Sequence, residues 1–182
     1  VVLAENGKAQ AVIVVEKSLL PRPEGPTAPM RGRYVRLEQP SDRVMVAEVQ
    51  VFSGGVNVAK GKPATQKGQW GGCAPARAVD GDTNAEHDKC SVGDIVGWWE
   101  VDLGGTVAIE KIVVWNVAPP NDYRMAHLMV SVLDENRTPT HWYPVREAAP
   151  RWEFDSSTAL AGDAANVHTA QALKDLRHYL QA

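Results

Sequence analysis

Residues 32–55 read GRYVRLEQPSDRVMVAEVQVFSGG, and this stretch decides the fold class. Residues 34–37 and 44–52 are rich in apolar and β-branched side chains, and the QPSD cluster between them is a turn signal. In the second run Val49 and Val51 alternate with other side chains at a period of two, which is the period of a β-strand. The glycine pair ends that run. The stretch therefore predicts two short strands joined by a turn.

The same pattern continues further along the chain. Apolar runs at residues 98–103, 108–117 and 128–133 follow a glycine-rich middle, and each run is bounded by Gly, Pro, Asn or Asp. Helical periodicity is missing throughout this span. Many short strands at such spacing are typical of an all-β protein, so we expect a jelly-roll β-sandwich.

The two ends of the chain differ from this middle part. Residues 1–20 predict an N-terminal β-hairpin, with strands at 1–3 and 11–15 and the Asn6-Gly7 turn signal between them. Residues 21–31 contain PRPEGPTAP and predict a stiff linker. The jelly roll is expected over residues 32–155.

A helical tail is expected over residues 156–182. Asp163 is a candidate N-cap for a helix at 164–180, in which Leu173, Leu176 and Leu180 share one face. This helix either packs on the sandwich or begins a following domain.

Composition excludes several classes of function. The chain has 182 residues, a formal charge of −3 and a sequence pI near 6.0, so charge gives no reason to expect nucleic acid or an anionic membrane as partner. No apolar run is long enough for a transmembrane segment. The first residues are broken by Glu5, Asn6 and Lys8, which argues against a signal-peptide core.

Catalytic motifs are missing from the sequence. The five histidines form no metal-ligand spacing, and no nucleophile elbow, P-loop or haem-attachment string occurs. Glu100 and Asp102 form a carboxylate pair, but they alternate along a strand with Trp99, Val101 and Leu103. The sequence therefore predicts a protein that is not an enzyme. Trp98 and Trp99 are candidates for core packing or for a sugar platform.

Four further strings carry a family resemblance together with residues 32–55. They are AKGKPATQ (59–66), GGCAPARAVDGDTN (71–84), GWWEVDLGG (97–105) and IEKIVVWN (109–116). In this order they resemble the F-type lectin (fucolectin-like) branch of the discoidin, or coagulation-factor type C, family of galactose-binding-like jelly rolls. The resemblance covers residues 32–143 and implies a carbohydrate-binding module.

One departure from that family concerns the order of the strings. In most members the AEVQVF-type strand closes the domain, whereas here it precedes the other strings. A circular permutation would explain the order, because domain termini commonly lie close together. The alternative is a boundary that cuts a tandem array, which would separate residues 44–52 from their own domain.

The resemblance also implies a calcium site. An EF-hand does not fit the acidic stretch AVDGDTNAEHD (78–88), because Ala85 stands where Gly is required and Ser91 where a bidentate Glu is required. Carried over from the lectin family, the calcium ligands would be the carbonyl groups of Ala47 and Arg77 and the side chains of Glu48, Asp80, Asp82 and Ser91. The alternative is a solvated acidic turn.

Sugar binding of the family's fucose type is not expected. Fucose-binding members use one His and two Arg, but Asp94 stands at the His position and Val117 at the first Arg position. Arg124 matches the second Arg. The remaining candidates for sugar contact are Asp94, Asn121, Tyr123 and Arg124, with Trp70 as a further aromatic platform. The alternative role for Arg124 is an ion pair with Asp122 or Asp94.

Cys73 and Cys90 flank the acidic stretch and are either joined in a disulfide or packed as thiols. Taken together, the sequence predicts a non-catalytic carbohydrate-binding module with a structural Ca²⁺ ion and a glycan or glycoconjugate partner. From the resemblance we expect an accessory domain of a larger extracellular or periplasmic protein, with neighbouring domains as further partners. The rival interpretations are a protein–protein module that has lost sugar binding and a fragment of a multidomain glycoside hydrolase.

Overall fold

The computed structural model describes residues 3–5, 8–10, 30–155 and 160–161, and these residues form an all-β protein. The strands of this part are β1 (Leu3–Glu5), β2 (Lys8–Gln10), β3 (Met30–Glu38), β4 (Arg43–Ser53), β5 (Val56–Asn57), β6 (Ala64–Gln66), β7 (Ser91–Ile95), β8 (Trp98–Ile109), β9 (Lys111–Asn116), β10 (Met129–Leu133), β11 (Pro139–Pro144), β12 (Arg151–Asp155) and β13 (Leu160–Ala161). Short 3₁₀ helices span Pro75–Val79, His87–Lys89 and Asp122–Met125. Among the described residues no helix has the length and apolar character needed to cross a membrane.

Two antiparallel sheets form the domain. One has six strands in the order β13-β11-β10-β3-β8-β6, and the other has the order β12-β9-β4-β5 with β7 also paired to β4. The strands β3 and β4 are neighbours in sequence but lie in the interior of opposite sheets. The turn between them therefore carries the chain from one sheet to the other, as expected for a jelly-roll sandwich.

The core lies between these two sheets. Val35, Leu37 and Val101 face inward from the six-stranded sheet and pack with Val49 and Val51 of the other sheet in one buried cluster. Each such side chain stabilises the fold by about 1.5–3 kcal/mol when fully buried. The prediction of an all-β sandwich is confirmed, as is the inward alternation of Val49 and Val51.

A β-bulge in β4 shapes the surface that carries the candidate site. Val46 pairs with Asn116 of β9 and Glu48 pairs with Trp115, so Ala47 is an extra residue between two consecutive partners. Val46 belongs to the core cluster before the bulge and Val49 belongs to it afterwards. The inward positions therefore shift by one residue at the bulge, and Glu48 falls outside the inward-facing series.

The predicted strand at 108–117 is wrong in its limits. β8 continues through the glycine pair to Ile109, which pairs with Met30, whereas Lys111 begins β9 and pairs with Phe52. The chain thus crosses between sheets at Glu110, whose backbone N–H donates to the carbonyl of Phe52 at 2.8 Å. The sequence shows no break there because both flanking segments are apolar.

The structure describes only part of the two ends of the chain, so it tests only some of the predictions made for them. β1 and β2 pair in the antiparallel sense, with Glu5 opposite Lys8, whereas the predicted strand at 11–15 lies outside the described residues. The predicted linker at 21–31 extends too far, because Met30 is fully buried and begins β3. Residues 160–161 form a strand on β11 rather than the start of a helical tail. The predicted helix at 164–180 lies outside the described residues.

Candidate functional site

Glu48 is the most unusual buried residue of the described part. Its side chain has no exposed surface, and neither carboxylate oxygen has a hydrogen-bond partner. Burying a carboxylate without partners is costly, because the charged form loses its hydration and gains nothing in return. Such a group either takes up a proton or binds a cation.

The acidic loop, which we define as residues 80–86, lies against Glu48. Burial is the largest cause that raises the pKa of Glu48 from 4.5 to about 8. The backbone N–H of Gly81 opposes this shift without meeting hydrogen-bond geometry, while the carboxylates of Asp80 and Asp82 add to it. Two carboxylates predicted as calcium ligands, Asp80 and Asp82, therefore act on the third, Glu48, although the two segments lie about thirty residues apart.

The acidic loop has a regular internal structure. The Asp80 side chain accepts a hydrogen bond from the Asp82 N–H at 2.7 Å, Asp82 accepts from the Asn84 N–H at 2.9 Å, and Asn84 accepts from the Glu86 N–H at 3.0 Å. Each polar side chain thus caps the backbone two residues further on, which explains why oxygen-bearing residues occupy every second position. Gly81 permits the turn because its φ is +92°.

The other predicted calcium ligands lie on three different elements. Ala47 occupies the bulge of β4, and Arg77 lies in the 3₁₀ helix that ends just before Asp80. Ser91 is fully buried at the start of β7, where it pairs with Val46, and its hydroxyl donates to the Gln66 side chain. Within the described residues, no three His, Cys, Asp or Glu side chains come close enough together to hold a metal ion.

These donors nevertheless fit a hard cation in their chemistry. Carboxylate, hydroxyl and carbonyl oxygens are the ligands that Ca²⁺ takes, and the two bare oxygens of Glu48 are the structural observation in favour of an ion. The calcium site stays a prediction.

A cleft of about 350 Å³ opens at the first residues of β4, just before the bulge. The cleft is lined by two apolar side chains, an aromatic ring, an amide and three basic side chains. The residues that line it are Arg43, Met45, Trp70, His87, Val92, Asn121 and Arg124. Two of the four predicted sugar-binding residues, Asn121 and Arg124, belong to this set.

Arg43 lies in one wall of the cleft and contacts residues of β7. Its guanidinium donates to the Gly93 carbonyl at 2.9 Å and lies 3.9 Å from the carboxylate of Asp94. The same group lies 5.1 Å from the ring centre of Trp70, which is 55% exposed. Asp94, the third predicted sugar residue, is therefore placed as the counter-charge of Arg43 beside the cleft.

Arg124 forms the opposite wall. Its guanidinium contacts the carboxylate of Asp42 at 2.5 Å and the Asn121 side chain at 3.4 Å. The predicted alternative, an ion pair with Asp122 or Asp94, is therefore wrong, because the turn between β3 and β4 brings Asp42 closer. Tyr123, the fourth predicted sugar residue, is largely exposed, and the Arg124 guanidinium lies 5.1 Å from its ring centre.

Arg43 and His87 are the basic cleft residues that the sequence interpretation missed, besides the apolar Met45 and Val92. Arg43 precedes Arg124 by 81 positions and no local motif marks it, since only the pairing of β4 with β7 brings it to the cleft. His87 belongs to the acidic stretch and has no metal-ligand spacing. Val117, which stands at a family Arg position, is buried beside Met45 and Val92 in a small apolar cluster below the cleft.

The two cysteines belong to that same apolar cluster. Cys73 and Cys90 are buried thiols, and the backbone carbonyl of His87 accepts from both, at 3.6 Å and 2.9 Å. The disulfide between them stays a prediction. Their contact with His87 links the cluster to the wall of the cleft.

The tryptophan and carboxylate pairs on β8 have structural roles. Trp99 is fully buried and its indole N–H donates to the Pro75 carbonyl at 3.0 Å, while Trp98 lies under the guanidinium of Arg36. Glu100 is ion-paired with Arg36 and Arg137. The hydrogen bond from Arg33 is the largest cause that lowers the pKa of Asp102.

Comparison with known proteins gives the family. The sequence model of the NedA-like, galactose-binding domain family, of F5/F8 type C, matches residues 77–167, which is half of the chain. The chain belongs to this family. The F5/F8 type C designation of this family is that of the coagulation-factor type C superfamily. The predicted superfamily is therefore confirmed. Membership of a family of binding domains also agrees with the prediction of a binding module.

Two solved structures resemble this galactose-binding domain. One is the lectin domain of lectinolysin in complex with Lewis B antigen, with 23% identity, a TM-score of 0.50, and coverage of 60% of this chain and 83% of that chain. The other is a mutant of the same lectin domain in complex with Lewis b, with 25% identity, a TM-score of 0.49, and coverage of 58% and 80%. The first of these supports the fold. No curated protein matches the chain.

Proposed function

We propose that the chain is a non-catalytic glycan-binding domain that holds a neutral sugar in the cleft between Arg43 and Arg124. The observation that carries this proposal is the pairing of an exposed indole with two guanidinium groups around an apolar base. An aromatic ring can stack on the C–H face of a hexose, while basic side chains donate hydrogen bonds to its hydroxyl groups. The family to which the chain belongs is named for galactose binding, which agrees with this chemistry.

The charge of the cleft favours a neutral sugar over an acidic one. Arg43 has Asp94 as counter-charge and Arg124 has Asp42, so each guanidinium adjoins a carboxylate. A ligand carboxylate or sulfate would have to compete with these groups. Hydroxyl groups, in contrast, can donate to the carboxylates and accept from the guanidinium groups together. A hexose such as galactose, with one face of C–H groups, fits this arrangement.

The cleft supplies the side-chain types that fucose-binding F-type lectins use. His87, Arg43 and Arg124 provide one imidazole and two guanidinium groups, although only Arg124 occupies a family position. We infer that the donors lost at positions 94 and 117 are replaced from other segments. Assignment to the F-type branch forms part of this proposal.

The circular permutation is a further part of the proposal. β4 pairs with β5, β7 and β9 of the same sheet, and β3 pairs with β8 and β10 of the other. A boundary through a tandem array would leave β4 without these partners. The integration of β3 and β4 into both sheets therefore favours a permuted domain.

We further propose that Glu48, Asp80, Asp82, Ser91 and the carbonyl groups of Ala47 and Arg77 bind a structural Ca²⁺ ion. The ion would supply charge compensation to Glu48 and join β4 to the acidic loop. On this view the domain acts as an accessory glycan-binding unit of a larger protein outside the cytoplasm.

A glycan array in calcium-containing buffer, followed by calorimetry with the best ligand, tests the glycan proposal. We expect neutral galactose- or fucose-type glycans to bind and Arg43→Ala to weaken that binding about tenfold or more, as for loss of a charged hydrogen bond. Arg151→Ala is the matched control, because Arg151 also lies over a tryptophan and contacts a carboxylate, but does so outside the cleft. Absence of binding to any glycan, or equal losses in both variants, would contradict the proposal.

A further inference from the structure

The side chain of Lys60 lies against the acidic loop at Gly81. Its Nζ, Cε and Cδ atoms are 2.6, 2.7 and 3.2 Å from the position that a Cβ atom on Gly81 would occupy. The end of the lysine side chain thus fills the space above a residue that has no side chain of its own. Gly81 is flanked by Asp80 and Asp82, so the ammonium group lies above the loop that carries two of the proposed calcium ligands.

The backbone holds Lys60 in this place. Its neighbour Ala59 is fully buried, and the N–H of Gly61 donates to the carbonyl of Val79 at 2.6 Å. Val79 is the last residue of the 3₁₀ helix that leads into Asp80. The segment carrying the lysine is therefore fixed to the segment carrying the carboxylates, and the position of the ammonium group is a consequence of the fold.

The charge of Lys60 acts on the buried carboxylate. Among the groups that influence Glu48, Lys60 is the side chain that favours its ionised form, whereas Asp80 and Asp82 disfavour it. Lys60 is an exposed residue, and among the described residues it makes no ion pair within 4 Å. The ammonium group of Lys60 thus lies near the carboxylates proposed to bind calcium, but it forms no ion pair with them.

We propose that Lys60 is a tethered competitor of the divalent cation. Its positive charge repels an incoming Ca²⁺ ion and so weakens calcium binding, and in the absence of calcium it partly compensates the carboxylates. The inference rests on the calcium site of the proposed function and concerns how tightly that site binds. It does not depend on the identity of the glycan.

Calcium titration of lysine variants tests this role. Lys60→Met keeps the aliphatic stem and removes the charge, and we expect its Kd for calcium to be lower by about tenfold, as for one nearby unit charge partly screened by solvent. Lys60→Arg keeps the charge and should have a Kd close to that of the unaltered protein. Calorimetry with calcium chloride alone gives these constants without any glycan.

Lys62→Met is the matched control. Lys62 lies two residues further along the same segment, but its Nζ approaches Gly104 at 3.5 Å from the corresponding Cβ position. We expect its calcium Kd to be unchanged. In chelator, the melting temperature of Lys60→Met should be lower than that of Lys62→Met, because the carboxylates then have no cation nearby.

The outcomes separate this inference from the glycan proposal. Tighter calcium binding by Lys60→Met alone supports it, whether or not any glycan binds. Equal affinities in Lys60→Met and Lys62→Met, weaker binding in Lys60→Met, or no calcium binding by any of the proteins would overturn it. If calcium binds as expected and the glycan array is negative, only the glycan proposal fails.

Discussion

At the scale of single residues, Glu48 links the stability of the fold to pH. Its pKa in the folded protein is raised from 4.5 to about 8, mainly by burial. Between these values the folded state holds a proton that the unfolded chain has released, so the free energy of unfolding falls as pH rises through this window. Above pH 8 this dependence levels off.

Urea unfolding in chelator at several pH values between 5 and 8.5 measures this effect. Glu48→Gln should lack this contribution to the pH dependence and should be at least as stable as the unaltered protein at pH 8.5, since no charge is then buried. The same pH dependence in both proteins would show that Glu48 is not the group responsible.

The thiols of Cys73 and Cys90 provide a second test at this scale. Burial is the largest cause that raises the pKa of Cys90 to about 12, and nearby Cys73 adds to it. Because the thiolate is the reactive form and both thiols are buried, we expect both to react slowly with a disulfide reagent at pH 8 in the folded, reduced protein, and quickly in urea. Rapid reaction in the folded state would contradict the buried environment. No free thiol in unreduced, denatured protein would instead establish the predicted disulfide.

At the scale of elements, β4 joins the two sites. Its first residue, Arg43, belongs to the cleft, and its bulge at Ala47 turns Glu48 toward the acidic loop. The run at 44–52 predicts this strand to within one residue at each end, because apolar alternation is a local signal. The bulge is not predictable in this way, since it is defined by the pairing with β9.

The close approach of β3 and β10 gives a prediction for a glycine. A Cβ on Gly32 would lie 2.4 Å from the Val132 side chain and 2.7 Å from the Leu133 carbonyl, and the backbone oxygen cannot easily move away. We expect Gly32→Ala to destabilise the protein by about 1–3 kcal/mol, as for overpacking of a well-packed core. Urea denaturation measures the change in the free energy of unfolding.

Gly105→Ala in β8 is the control for this glycine. A Cβ there has no neighbour within 4 Å, so the substitution should change stability by much less. Equal losses in the two variants would indicate that the effect comes from the glycine backbone and not from contact with β10.

At the scale of the whole molecule, the sequence predicts the class of fold better than the composition of the cleft. Period-two alternation and turn residues suffice for an all-β sandwich, and the family strings suffice for the superfamily. Asn121 and Arg124 are predicted as sugar-binding residues, Arg124 from its match to a family position and Asn121 from its hydrogen-bonding side chain, and both line the cleft. Arg43 and His87 are not predicted, because strand pairing alone brings such distant positions to one surface.

Thermal and chemical unfolding with and without calcium, for the unaltered protein and for Glu48→Gln, tests the central claim most directly. That claim is that the bare carboxylate of Glu48 and the acidic loop together bind a cation that stabilises the domain. At calcium far above its Kd, we predict a gain of about 3–4 kcal/mol in the unaltered protein and little gain in Glu48→Gln. An unfolding midpoint of the unaltered protein that is the same in calcium and in chelator would contradict the claim.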